Sequence, residues 1–102
     1  MSRHVIRLVG LAAGEPSPLD GLYLVEYDPD RRGVDPTGRP MLAHVVCTPD
    51  VAEAKRYTPR EALEEWRRPS TRWPDEGRFP PDGRPNRPLT AYTVDIHDPD
   101  AL

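Results

Sequence analysis

The stretch Thr58-Pro59-Arg60-Glu61-Ala62-Leu63-Glu64-Glu65-Trp66-Arg67-Arg68 decides the fold. Thr58 can cap a helix, Pro59 stands where a missing N–H costs nothing, and Glu61 completes a capping box three residues past the cap. The spacing predicts a helix over Pro59–Arg68 with Ala62, Leu63 and Trp66 on one face. Glu61, Glu64, Glu65 and Arg68 would then face water. Arg67 and Arg68 set positive charge where the helix dipole is negative. This is the only convincing helix in the sequence, so whatever strands the chain forms must pack against it.

Four strand-like runs surround it. Arg3–Leu11 carries Val5, Ile6, Leu8 and Val9, and Gly14–Gly21, with two prolines and the pair Asp20-Gly21, reads as a turn-rich connection. Leu22–Tyr27 alternates Tyr23, Val25 and Tyr27 on one face with Leu22, Leu24 and Glu26 on the other. Asp28–Pro40 is a polar loop rich in Pro and Gly, and Met41–Thr48 is a third strand, so the two strands are expected to form a long antiparallel hairpin. Thr48-Pro49-Asp50 opens a short helical turn in which Asp50 and Glu53 resemble a second capping box. Leu89–His97 restores alternation at the end, with Tyr92, Val94 and Ile96 on one side. The expected architecture is one α+β domain of 102 residues: a four-stranded, mainly antiparallel sheet with one helix on one face. The second sheet face, from the Tyr23/Val25/Tyr27 or Leu22/Leu24 set, is expected to be partly apolar and open to burial in a homodimer.

Composition narrows the function classes. The chain has 36% hydrophobic and 30% charged residues and fourteen prolines, so its core is thin. No run approaches the roughly 18 apolar residues needed to span a bilayer. A signal peptide is not expected, and the single cysteine, Cys47, forms no intrachain disulfide, so a reducing, cytoplasmic location fits best. The net charge of −3 argues against a generic nucleic-acid binder. That charge is unevenly placed, with +3 over residues 55–87 and −6 over the rest.

No catalytic arrangement stands out. Asp28, Asp30, Gly33 and Asp35 have some calcium-loop spacing, but Arg39 occupies the position that needs a bidentate Glu, and a turn of Asx and Pro residues accounts for the run. His44 and Cys47, three apart on a strand, would point to opposite faces, leaving Cys47 as a small core residue. His4, His44 and His97 have no zinc spacing. Glycine-rich phosphate loops, nucleophile elbows and His-Glu-x-x-His are all missing from the sequence. The expectation is a non-enzymatic protein without cofactor or metal.

The strongest candidate surface is the basic, aromatic segment between the helix and the last strand. It offers Arg67, Arg68, Arg72, Arg78, Arg84 and Arg87, interleaved with Trp66, Trp73 and Phe79. Guanidinium groups pair with carboxylate or phosphate in bidentate fashion, and aromatic rings fill partner pockets or stack on bases. Trp73 and Phe79 could equally pin the segment to the sheet, with the arginines pairing Asp75, Glu76 and Asp82.

Gly21-x-Tyr23-Leu24-x-x-Tyr27-Asp28-Pro29-Asp30, then Ala54-Lys55-Arg56-Tyr57 with Glu61-Ala62, then Asp82–Val94, form a distinctive order of motifs. It resembles a group of small uncharacterised proteins encoded by phages and prophages of GC-rich bacteria. That resemblance brings no catalytic residues. It implies a protein that acts by binding a bacterial host or anti-phage defence protein, or by sequestering a nucleotide immune signal.

Overall fold

The computed structural model describes residues 2–41, 43–70 and 87–101. Its main sheet has four antiparallel strands, ordered from edge to edge His44–Thr48, Tyr23–Asp28, Val5–Leu11 and Tyr92–His97. These are β1 (Val5–Leu11), β2 (Tyr23–Asp28), β5 (His44–Thr48) and β6 (Tyr92–His97). Between β2 and β5 the hairpin carries a two-stranded extension, β3 (Gly33–Val34) with β4 (Pro40–Met41). The one α-helix among the described residues, α1 (Pro59–Trp66), lies on one sheet face. The α+β architecture and the long β2–β5 hairpin are as the sequence predicts.

The helix starts as its sequence dictates. Glu61 N–H donates to the Thr58 hydroxyl at 3.1 Å, and Thr58 N–H donates to the Glu61 carboxylate at 2.9 Å, a complete capping box. It ends at Trp66, two residues earlier than expected. Pro69 disfavours helical backbone at Arg68, so Arg67 and Arg68 form only the closing turn, with N–H groups donating to Leu63 O and Glu65 O.

Helix orientation differs from the expected amphipathic face. Ala62 is fully buried and Trp66 packs against the core, but Leu63 is 44% exposed. In Leu63's place the helix turns Glu65 inward, its side chain only 11% exposed. The core holds Ile6, Leu8, Leu19, Leu24, Tyr27, Val45, Tyr57, Ala62, Leu89 and Tyr92.

Leu24 and Tyr27 share that core although they lie three apart on β2. The register shifts between Leu24 and Glu26, and this bulge resets the alternation. The expected faces of β2 are therefore corrected: neither the Tyr23/Val25/Tyr27 set nor the Leu22/Leu24 set remains as an exposed apolar face. Pairing instead places Val5, Arg7, Tyr23, Asp95 and His97 with Glu26, His44, Val46 and Thr48 on the second face, a mixture of apolar and polar side chains in which Val5 and Thr48 are buried.

The bulge has a partner in the chain. Lys55 N–H donates to Leu24 O at 3.1 Å, and Tyr57 exchanges two backbone bonds with His4 at 2.8 and 2.9 Å. Residues 54–57 thus bond to β2 on one side and to the lead-in of β1 on the other, which fixes the approach to the helix. Two further expectations are revised. Asp50 caps the 3-10 turn Val51–Glu53 through Ala52 N–H, but Glu53 accepts from the Thr48 hydroxyl rather than closing a second box. Leu89 belongs to a 3-10 turn, Pro88–Ala91, that precedes β6.

Candidate functional site

Arg68 is the most engaged of the candidate arginines among the described residues. Its Nε lies 2.8 Å from Glu65, its guanidinium stands 5.1 Å from the Tyr27 ring centroid, and it donates to the Tyr27 carbonyl. The Tyr27 hydroxyl donates back to the Arg68 carbonyl at 3.0 Å. Glu65 also accepts from the Tyr57 hydroxyl at 3.1 Å and lies 3.7 Å from Lys55 Nζ. Burial pushes the Tyr27 phenol up to about 12, and burial together with the Glu65 charge raises that of Tyr57. Arg68 therefore anchors the helix exit to β2. A ligand would have to break this network to use it.

Trp66 is also structural. Its indole N–H donates to the Tyr92 carbonyl at 3.1 Å and its ring packs on the core. Arg87 is partly so, since its Nε donates to the Arg67 carbonyl at 2.9 Å and closes the C-terminal end of α1. Thr90 returns two bonds to Arg87 O.

Arg67 is different. Among the described residues its exposed side chain has no ion pair. With Arg87, Leu63, Glu64, Arg68 and Pro69 it lines an open pocket of about 410 Å³. Leu63 borders a second, apolar groove of about 540 Å³, lined also by Trp66, Thr90, Tyr92, Val94 and Ile96. The two depressions meet at Leu63, the exposed apolar residue of α1. Arg72, Trp73, Arg78 and Arg84, with Phe79, lie outside the described residues. The residues flanking that segment are Ser70, whose hydroxyl donates to Asp30 at 3.2 Å, and Arg87.

The remaining candidates fall apart geometrically. Cys47 faces the core and burial pushes its thiol up to about 12, while His44, on the opposite face, lies 3.2 Å from Glu26. His97 lies 3.3 Å from Asp95 and beside Tyr23, and His4 bridges to Tyr57. Among the described residues no three His, Cys, Asp or Glu side chains gather as metal ligands. In the β2–β5 hairpin Asp28 accepts from Asp30 N–H at 2.9 Å, and Asp35 accepts from Thr37 and Arg39. The Thr37 hydroxyl holds the Asp35 carboxyl below the usual range, so these aspartates build turns.

What sequence reasoning missed is the Leu63 junction. The spacing sets Leu63 on the buried face with Ala62 and Trp66, so the sequence carries no signal that it stays exposed. Comparison with known proteins gives no match: no family model, no curated protein and no solved structure matches the chain. Among the described residues no helix is long and apolar enough to cross a membrane.

Proposed function

We propose that the protein is a non-enzymatic binding protein of phage type that inhibits a bacterial host or anti-phage defence protein. One observation carries this reading: the Arg67 side chain, without an ion pair among the described residues, stands at an open pocket floored by Leu63 and Pro69 and shared with Arg87. A surface of this kind suits a partner that offers an apolar side chain flanked by carboxylates. The apolar part supplies contact area and the guanidinium groups supply orientation. Arg72, Trp73, Arg78 and Arg84 would extend the same cationic, aromatic character.

The test is capture of a host protein by the tagged chain, followed by binding measurements on the identified partner. Arg67→Glu should weaken binding at least tenfold, and an Arg72→Ala/Trp73→Ala/Arg78→Ala triple variant should abolish it, both with unchanged circular dichroism. Full affinity in both variants would overturn the assignment of the surface.

A second reading has its own support. Arg67 and Arg87 flank one pocket, an arrangement suited to a nucleotide phosphate with the base against Leu63 and Pro69. It requires saturable thermal stabilisation by a cyclic or dinucleotide that disappears in Arg67→Glu.

A further inference from the structure

We propose that the outer edge of β6 is a self-association surface on which a second copy of this chain lays its own β6 antiparallel, joining two four-stranded sheets into one. This goes beyond the partner reading and does not depend on it.

β6 is the last strand of the sheet, and among the described residues only β1 pairs with it. The direction of its backbone groups follows from one bond. Ala12 N–H donates to Ala91 O at 2.8 Å, so the Ala91 carbonyl faces β1. With a period of two, the N–H and C=O groups of Tyr92, Val94 and Ile96 face away from it. The Tyr92 carbonyl is already satisfied by the Trp66 indole at 3.1 Å. Among the described residues nothing pairs with the outward groups of Val94 and Ile96.

The side chains fit a second copy in particular. Val94 and Ile96 project to the helix side and line the apolar groove with Leu63 and Trp66. A two-fold axis perpendicular to the sheet keeps both helices on the same side, so the two grooves meet and the 44% exposed Leu63 of each copy loses water. On the other face β6 carries one acid and one base, Asp95 and His97, 3.3 Å apart within the chain. Antiparallel self-pairing centred on Ile96 sets Asp95 of one copy opposite His97 of the other, a complementary cross-strand pair. The strand Tyr92–His97 also has none of the prolines or lysines that commonly block edge pairing.

Sedimentation equilibrium of the full chain at high micromolar concentration tests this. The wild type should give the mass of two chains. Val94→Pro removes one outward N–H without touching the β1 ladder, and Leu63→Asp puts a carboxylate into both grooves at an exposed position. Each should give the mass of one chain with unchanged far-UV circular dichroism. If Val94→Pro fails to fold, Leu63→Asp alone decides. A single-chain mass for the wild type overturns the proposal, including the case where such a monomer binds a foreign strand. So does a two-chain mass that persists in every folded variant.

Discussion

Tyr27 and Arg68 hold each other by backbone and side chain at once. The Tyr27 hydroxyl donates to the Arg68 carbonyl at 3.0 Å, while the Arg68 guanidinium lies over the Tyr27 ring and donates to the Tyr27 carbonyl. The pair joins the exit of α1 to the end of β2, so an arginine that reads as a ligand contact is part of the scaffold.

Mutating the two partners should separate their contributions. Tyr27→Phe keeps the ring under the guanidinium and loses one hydrogen bond, an expected loss of about 1 kcal/mol. Arg68→Ala removes the ring contact and charge-assisted bonds to Glu65 and Tyr27, and should cost about 1.5 to 3 kcal/mol, nearer the lower figure because the side chain is 43% exposed. Arg68→Lys should recover only part of this, since an ammonium cannot span the two acceptors. Urea titrations of the three variants check the order. A neutral Arg68→Ala would return this residue to the pool of ligand contacts.

Stability should fall at alkaline pH. Tyr27 rises from an ordinary 10.0 to about 12 and Cys47 from 9.0 to about 12, both chiefly through burial. A folded-state value above the unfolded one means the folded chain holds its proton longer. The stabilisation is complete below pH 9.0, and it is lost as pH rises through about 12. The urea midpoint should therefore drop between pH about 9 and about 12, and Cys47→Ala with Tyr27→Phe should flatten that slope. The same burial predicts that the Cys47 thiol reacts with a disulfide reagent only after denaturant is added.

The capping box makes a separate, local prediction. Thr58→Ala leaves Glu61 N–H without its side-chain acceptor and should cost about 1 kcal/mol. The Glu61 carboxyl is held below its ordinary value chiefly by the Thr58 N–H. Its contribution is present above the unfolded value and is lost as pH falls through the folded one. Helicity near 222 nm, followed down the acid range, should thus fall less steeply in Glu61→Gln than in the wild type.

The cap, the hairpin and the strand segments were legible because each rests on local chemistry: a hydroxyl and a carboxylate three apart, Pro and Gly at turns, alternation along strands. The faces of β2 were not. Leu24 and Tyr27 reach one core only because a bulge intervenes, and that bulge is matched by a backbone bond from Lys55, thirty-one positions after Leu24. Pro69 could have shortened the helix in advance, since its steric effect on Arg68 is local. The arginine-rich surface was visible as composition. Which arginines were already committed was not, because the partners of Arg68 come from β2 and from its own helix.

Glu65 gives the sharpest contrast between the two kinds of reading. From periodicity alone it is a solvated helix residue, and Glu65→Ala should change stability by less than about 0.5 kcal/mol. In the fold its side chain is 11% exposed and joins the Tyr57 hydroxyl, Lys55 and Arg68. Removing it strands a buried phenol and a half-exposed guanidinium that have no other carboxylate in contact among the described residues. The expected cost is about 2 to 3 kcal/mol, several times that of Glu64→Ala on the exposed side of the same turn. Glu65→Gln should fall between, because an amide oxygen still accepts from Tyr57 but no longer balances Arg68. Chemical denaturation of the three variants measures the differences. If Glu65→Ala and Glu64→Ala cost the same, the helix is rotated from the position described, and Leu63 would then be the residue that faces the core.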